Sequence, residues 1–178
     1  MIEKEFVLKK YGLTTRLVTE KDAEFIVKLR SDEKLSLFLN KTNSNIDEQE
    51  KWIKQYKIRE SRGEEYYFVF LNEDLPIGLC RLYKFEPLSF TIGSWIFSSD
   101  APKGTALLGD IITREIGFDL FPQKKLKFDV RKGNRNVLKY QHMFKPKVVD
   151  EDAENFYFEL HKVDFEKYKV KFLRMLTN

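Results

Sequence analysis

Hydrophobic positions along this chain follow two spacings, a period of two and a period near three and a half, and the changes between them mark its elements. Leu126, Phe128 and Val130 alternate with Lys127, Asp129 and Arg131, which predicts a strand over 125–131. Leu13 to Val18 reads as a short first strand. Tyr66 to Leu71 is almost wholly apolar and aromatic, Asn72-Glu73-Asp74 supplies a turn, and Pro76 to Phe85 returns. Pro87 ends that run before Ser89 to Phe97. Three strands joined by short turns predict an antiparallel meander.

The helical spacing occurs five times. Phe25, Ile26 and Leu29 line a helix over 20–30, opened by Thr19 and Asp22 as a capping box. Trp52, Ile53 and Tyr56 line a second, opened by Asp47 with Glu50 and closed at Gly63. Leu107, Leu108, Ile111, Ile112 and Ile116 line a helix from Ala106 to Phe121, which Pro122 stops. Asn134 or Asn136 caps the fourth, where Val137, Tyr140 or Gln141, and Phe144 share a face. A short strand near Val148-Val149 and a longer one over 155–161 precede a basic amphipathic helix beginning at about 164. Its apolar side holds Phe165, Tyr168, Phe172 and Met175. Ser31 to Asn45 stays irregular.

The order β-α-α-β-β-β-α-β-α-β-β predicts an α+β domain: a mixed, mostly antiparallel sheet of six to seven strands with helices on both faces. With 178 residues, no linker and no repeat, one domain over 1–178 is expected. Thirty-two basic against 28 acidic residues leave a formal charge of +4, too even a balance to indicate nucleic acid. The lone Cys80 rules out an internal disulfide and lies in an apolar strand, where an inert buried thiol is expected. No segment has transmembrane length, no His/Cys cluster has metal-ligand spacing, and no apolar leader follows Met1. A cytoplasmic protein without metal or membrane partner is expected, with homodimerisation left open.

The chemistry concentrates where strand Ser89–Phe97 passes through Ser98-Ser99-Asp100-Ala101-Pro102-Lys103-Gly104-Thr105-Ala106 into a helix. Unsatisfied amides at a helix start and the positive end of its dipole favour an anion. Lys103 adds charge, Gly104 permits close backbone approach, and Ala106 keeps the first turn uncrowded. The loop has neither the dinucleotide G-x-G-x-x-G pattern nor the P-loop pattern.

With the strand 125–131, the turn Lys132-Gly133 and the Asn134-led helix, this stretch resembles the GNAT superfamily of acyl-CoA-dependent N-acetyltransferases. The signature loop Q/R-x-x-G-x-G/A is met by Gly104 and Ala106 and departs from the pattern at Ala101. The opening Thr15 to Ala23 and the Trp52 helix look like the branch of ribosomal-protein, polyamine and nucleotide-amino-sugar acetyltransferases. The resemblance implies acetyl-CoA as co-substrate. It places the backbone of Trp95, Ile96 and Phe97 along the pantetheine arm, Pro102, Lys103, Gly104, Thr105 and Ala106 at the pyrophosphate, and Asn134 at the pantetheine end.

The family's acidic Tyr falls on Gln141. Tyr140, about 100° away on a helix, is the nearest alternative acid, and His142 is a weaker one. Asp129 is the carboxylate available as base, against an ion-pair role with Lys127 or Arg131 on a solvated face. The family's Gly-Phe near the end of this helix is replaced by Lys145-Pro146. Aromatic and basic residues gather on the acceptor side: Phe38, Lys41, Trp52, Tyr66 and Tyr67, then Arg81, Tyr83 and Lys84. Aromatics stack on sugar or base faces and guanidinium pairs with diphosphate; with the resemblance to a branch that includes sugar acetyltransferases, this makes the expected acceptor a small-molecule primary amine, first a nucleotide-linked amino sugar. A protein N-terminus is the alternative acceptor, and a non-catalytic acyl-CoA-binding module the alternative class.

Overall fold

The computed structural model describes residues 1–39 and 45–177; Lys41 lies outside them. Among the described residues eight strands and five α-helices form in the order β1 (Val7–Lys10), β2 (Leu13–Leu17), α1 (Ala23–Ser31), α2 (Ile46–Ser61), β3 (Tyr66–Asn72), β4 (Leu75–Tyr83), β5 (Ser89–Phe97), α3 (Thr105–Leu120), β6 (Lys125–Arg131), α4 (Arg135–His142), β7 (Lys147–Glu151), β8 (Asn155–Leu160) and α5 (Lys162–Thr177). The strands form one mixed sheet in the order β1-β2-β3-β4-β5-β6-β8-β7. The chain divides into two compact units, residues 1–83 with 93–113 and residues 84–92 with 114–178, so that β5 and α3 each contribute to both.

In the first unit β1, β2, β3 and β4 pair antiparallel in succession. The expected count of six to seven strands is short by β1. Its sequence Val7-Leu8-Lys9-Lys10 sets two apolar residues before two lysines, so apolar and polar residues do not alternate, although exposed and partly buried positions do. The hairpin turn shows it instead: Tyr11 and Gly12 take positive φ of 53° and 79°, the geometry of a tight two-residue connection. Helix α2 starts at Asn45, whose side chain accepts from the Glu48 amide at 3.1 Å, two residues before the expected Asp47. It ends as expected before Gly63, φ +71°. The core of this unit gathers Val18, Ile26, Ile53, Tyr56, Val69, Leu79 and Ile96.

The start of β5 belongs to the second unit, where Ser89, Phe90 and Thr91 run parallel to Lys125, Leu126 and Lys127 of β6. Strand β6 then pairs antiparallel with β8, and β7 with β8. Phe90 meets Phe118 edge-on at 5.2 Å, and Phe118 stacks on Phe165 of α5 at 5.5 Å. A side chain at Gly117 would strike the Phe90 ring at 2.4 Å, so close packing fixes glycine there. Asn134, not Asn136, caps α4 by accepting from Val137 N at 3.3 Å. Lys145, where the signature would place glycine, adopts φ +51° all the same. Helix α5 begins at Lys162, with Asp164 in its first turn; Phe165 and Phe172 are buried while Met175 is half exposed.

Candidate active site

The first unit carries the strand–loop–helix. Phe97 ends β5 with its ring pressed between two glycines: a side chain at Gly78 of β4 would lie 2.2 Å from it, and one at Gly109 of α3 2.4 Å. The indole N–H of Trp95 donates to the Ala106 carbonyl at 2.9 Å. Strand end and helix start are thereby fixed to each other through side chains, a role for Trp95 and Phe97 beyond the backbone one expected of them.

Between them the loop folds on itself. Ala101 N donates to the Ser98 carbonyl, and Thr105 donates both its amide and its hydroxyl to the Pro102 carbonyl, at 3.1 and 2.7 Å. The Thr105 hydroxyl is thus engaged within the loop. Gly104 sits at φ +88°, where a side chain would be strained, so this glycine serves the turn as well as ligand approach. The carbonyl of Gly104 accepts from Leu108, which opens a 16-residue helix whose first-turn amides lack intrahelical acceptors. Lys103 is exposed beside them. The loop thus brings amides, the positive end of a helix dipole and a lysine together, a combination that favours an anion.

One turn of chain back, the pleat of β5 breaks. Ser94 holds φ +51° inside the strand, and Gly93, Ser94 and Trp95 are half-buried where the strand on either side is buried. Strain of this kind in a non-glycine residue persists where the surrounding fold holds it, and it gathers at functional sites. The Tyr83 hydroxyl lies against this break, 2.9 Å from where a side chain at Gly93 would begin.

Around Tyr83 the first unit assembles a polar cluster on α2, β3 and β4. Buried Glu65 accepts from Arg59 Nε at 2.6 Å and from Arg81. The Arg81 guanidinium lies over Tyr83 at 5.0 Å and over Trp52 at 5.4 Å, and Arg59 lies over Trp52 at 5.6 Å. Burial pulls the Arg81 pKa below its ordinary value; Tyr83 and Tyr56 oppose that, while Arg59 and Arg30 add to it by like-charge repulsion. Trp52 stacks on Tyr56, whose hydroxyl donates to buried Glu60 and accepts from the Tyr67 amide at 2.7 Å. Burial, eased by Arg30, pushes the Tyr67 hydroxyl up to about 12. Tyr66 is core instead of acceptor wall, its hydroxyl accepting from Ile2 N at 3.1 Å.

Phe38 of the first unit is exposed; the remaining expected residues belong to the second unit. Tyr140 is buried, edge-on to Phe144 and to Phe172, each at 5.5 Å. Asp129 is exposed on β6 opposite Tyr157, whose hydroxyl donates to Asp152 at 2.7 Å. Lys127 pairs with Glu86 at 3.1 Å and Arg131 with Glu154, not with Asp129. His142 is exposed, with its ring 5.8 Å from Phe158, and Lys84 is exposed. Gln141, at the signature's tyrosine position, is buried and accepts from the fully buried Arg114 at 2.6 Å. Arg114 went unread in the sequence, although three- and four-residue steps from Ile111 to Phe118 place it on the apolar face of α3.

The family model of the acetyltransferase (GNAT) domain matches residues 13–140. The chain belongs to the GNAT acetyltransferase family. Among solved structures, this GNAT chain is similar to FdhC, described as a nucleotide-linked sugar GNAT. The two share 37% identity over 96% of this chain and 98% of that one, with a TM-score of 0.85. It shares its fold with a ribosomal-protein alanine acetyltransferase from Vibrio fischeri (14% identity, 90% and 99% coverage, TM-score 0.75). The same holds for a spermidine N-acetyltransferase from Vibrio cholerae solved with CoA and spermine (16%, 88% and 99%, TM-score 0.74). No curated protein matches. As a GNAT the chain is an N-acetyltransferase, and GNAT enzymes use acetyl-CoA. Among the described residues no helix is long and apolar enough to cross a membrane.

Proposed function

We propose that this N-acetyltransferase acylates the primary amine of a nucleotide-linked amino sugar. The observation that carries the reading is the cluster on α2, β3 and β4. Arg59 and Arg81 share the single carboxylate of Glu65, which leaves positive charge in surplus beside the half-buried Trp52. Planar guanidinium suits a diphosphate, and the indole face suits a base or sugar ring. The likeness to FdhC over nearly the whole of both chains agrees with this acceptor.

Acetyl-CoA would lie with its diphosphate on the amides of Lys103, Gly104 and Ala106, beside the Lys103 ammonium. Its pantetheine arm would run along the backbone of Trp95, Ile96 and Phe97. The neutral amine attacks the thioester carbonyl and a C–N bond forms. The C–S bond then breaks with its electron pair leaving on sulfur; the amine loses one proton and the sulfur gains one. Amides at the strained turn of β5 at Ser94 would stabilise the oxyanion, since preorganised donors cost no reorganisation as charge develops.

A thiol-release assay over an amine panel tests this. A nucleotide-linked amino sugar is expected to exceed the free amino sugar, a polyamine and a peptide N-terminus by at least roughly tenfold in kcat/KM, the equivalent of about 1.4 kcal/mol. A peptide or polyamine as best substrate overturns the acceptor. Gly104→Val, forced into the left-handed region, is expected to weaken CoA binding by calorimetry about 10- to 100-fold. Unchanged affinity would remove the loop from the cofactor site.

A further inference from the structure

We infer that Tyr83 is the catalytic acid that protonates the departing sulfur, an inference that rests on the acyl-CoA placement above but not on the identity of the acceptor. Three observations within the first unit converge on its hydroxyl.

The first is position. The Tyr83 ring edge crosses Gly93 so closely that a side chain there would meet Oη at 2.9 Å and Cε1 at 3.0 Å. Glycine at 93 is what lets the hydroxyl lie against the backbone of β5. The second is the strain beside it. Ser94 at φ +51° breaks the pleat next to Gly93, on the segment along which the pantetheine arm and thioester would run. The third is charge. The Arg81 guanidinium lies over the Tyr83 ring at 5.0 Å and is itself held by buried Glu65. A cation over the ring favours the phenolate that remains once the proton has left. Arg59 and Arg30 also act on Arg81 as like charges, and Glu60, paired with Lys57, is bonded to the neighbouring Tyr56.

The step balances without any further reactant. As the C–S bond breaks, its electron pair goes to sulfur, the Tyr83 O–H bond breaks, and the proton forms the S–H of CoA. The phenolate, stabilised under Arg81, regains a proton from the new amide's ammonium precursor by way of solvent. Tyr140, by contrast, is packed edge-on between Phe144 and Phe172 in the other unit.

Two measurements decide the assignment. In turnover, Tyr83→Phe is expected to lower kcat about 100-fold, the usual loss of a general acid, with CoA affinity by calorimetry within about twofold. Gly93→Ala, which displaces the hydroxyl while leaving Tyr83 in place, is expected to lower kcat in the same direction. A kcat within threefold of native for Tyr83→Phe, or a larger fall for Tyr140→Phe, would overturn the assignment. The second measurement needs no acceptor: titration of the thiol of bound CoA by its ultraviolet thiolate absorbance. A hydrogen bond from Tyr83 stabilises the thiolate, so Tyr83→Phe should move the midpoint up by about one pH unit. An unmoved midpoint counts against Tyr83 even if every amine tested proves a non-substrate, and a moved one supports it even then.

Discussion

Each unit of this enzyme buries an arginine among aromatic rings, and the two arginines serve opposite ends. Arg114 is wholly buried between Phe128 and Phe144, at 5.2 and 4.9 Å, and donates to the neutral oxygen of Gln141. It ties the middle of α3 to α4 within the second unit. Arg81 keeps about a quarter of its side chain exposed, shares one carboxylate with Arg59, and lies over Trp52 and Tyr83. A guanidinium sealed off from water does structural work only. One that is half sealed, with its counter-charge divided between two cations, still attracts an anion. The departure from the family pattern at Gln141 has its explanation in the first case: the position is occupied by a partner for Arg114.

Mutating the partners separates the two roles. The largest effect is expected from Gln141→Leu, which strips a sealed cation of an acceptor and should cost about 3 kcal/mol in urea unfolding. Adding Arg114→Met to it should recover most of that, because an apolar pair replaces a buried charge. A single mutant of native stability would show that Arg114 does not depend on α4. Next comes Arg81→Met. Glu65 keeps Arg59, so stability should fall by less than in Gln141→Leu, about 1.5 kcal/mol, whereas KM for the nucleotide-linked acceptor should rise roughly tenfold or more. A loss of stability without a change in KM would make Arg81 a second Arg114.

The smallest effect sharpens the contrast with a third arginine. Arg16 grips Asp22 through both guanidinium nitrogens at 2.8 Å, so its charge is fully matched. Burial alone would raise the Asp22 carboxyl. The bonds from Arg16, and then from the Thr19 amide, outweigh that and hold it below its ordinary 3.8. A depressed carboxyl stabilises the fold above its unfolded pKa and loses that contribution as pH falls through the folded value. Asp22→Asn should therefore cost about 1–2 kcal/mol at neutral pH, with the gap to native closing below about pH 4. A constant gap down to pH 2 would mean that the pair carries no linked charge.

The sequence was most legible where periodicity and turn chemistry agreed. The bounds of β5 and β6 match the alternation of Ser89–Phe97 and Lys125–Arg131, and Asn134 caps α4 through the expected side-chain oxygen. Strand β1 escaped because an edge strand need not bury one face, so the alternation that reveals a strand is weak there. The strand–loop–helix over 89–120 is legible because it is contiguous. The cluster around Arg81 shows in the sequence only as a surplus of aromatic and basic residues, because its members come from α2, β3 and β4. Which of them are core, as Tyr66 is, depends on the close packing of one particular sheet. Neither the break at Ser94 nor the sealing of Arg114 follows from local propensity, since serine rarely adopts positive φ and arginine rarely goes fully inside.

Phe97, wedged between Gly78 and Gly109, bears on how this enzyme tolerates change. Since the ring and the Trp95 indole set where α3 begins, the residues from Ser98 to Pro102 need only close a gap whose two ends are already fixed. Loop sequence and cofactor grip thereby become separable traits, and the signature's leading Gln or Arg could give way to Ala101 without moving the amides that follow. The invariance that a lineage would otherwise have to keep in the loop is transferred to two glycines outside it, Gly109 in α3 and Gly78 on a neighbouring strand. A library varied over 98–101 should hence retain folded, CoA-binding members at a high rate, while the same library built on Gly78→Ala, with the Phe97 ring displaced, should retain few.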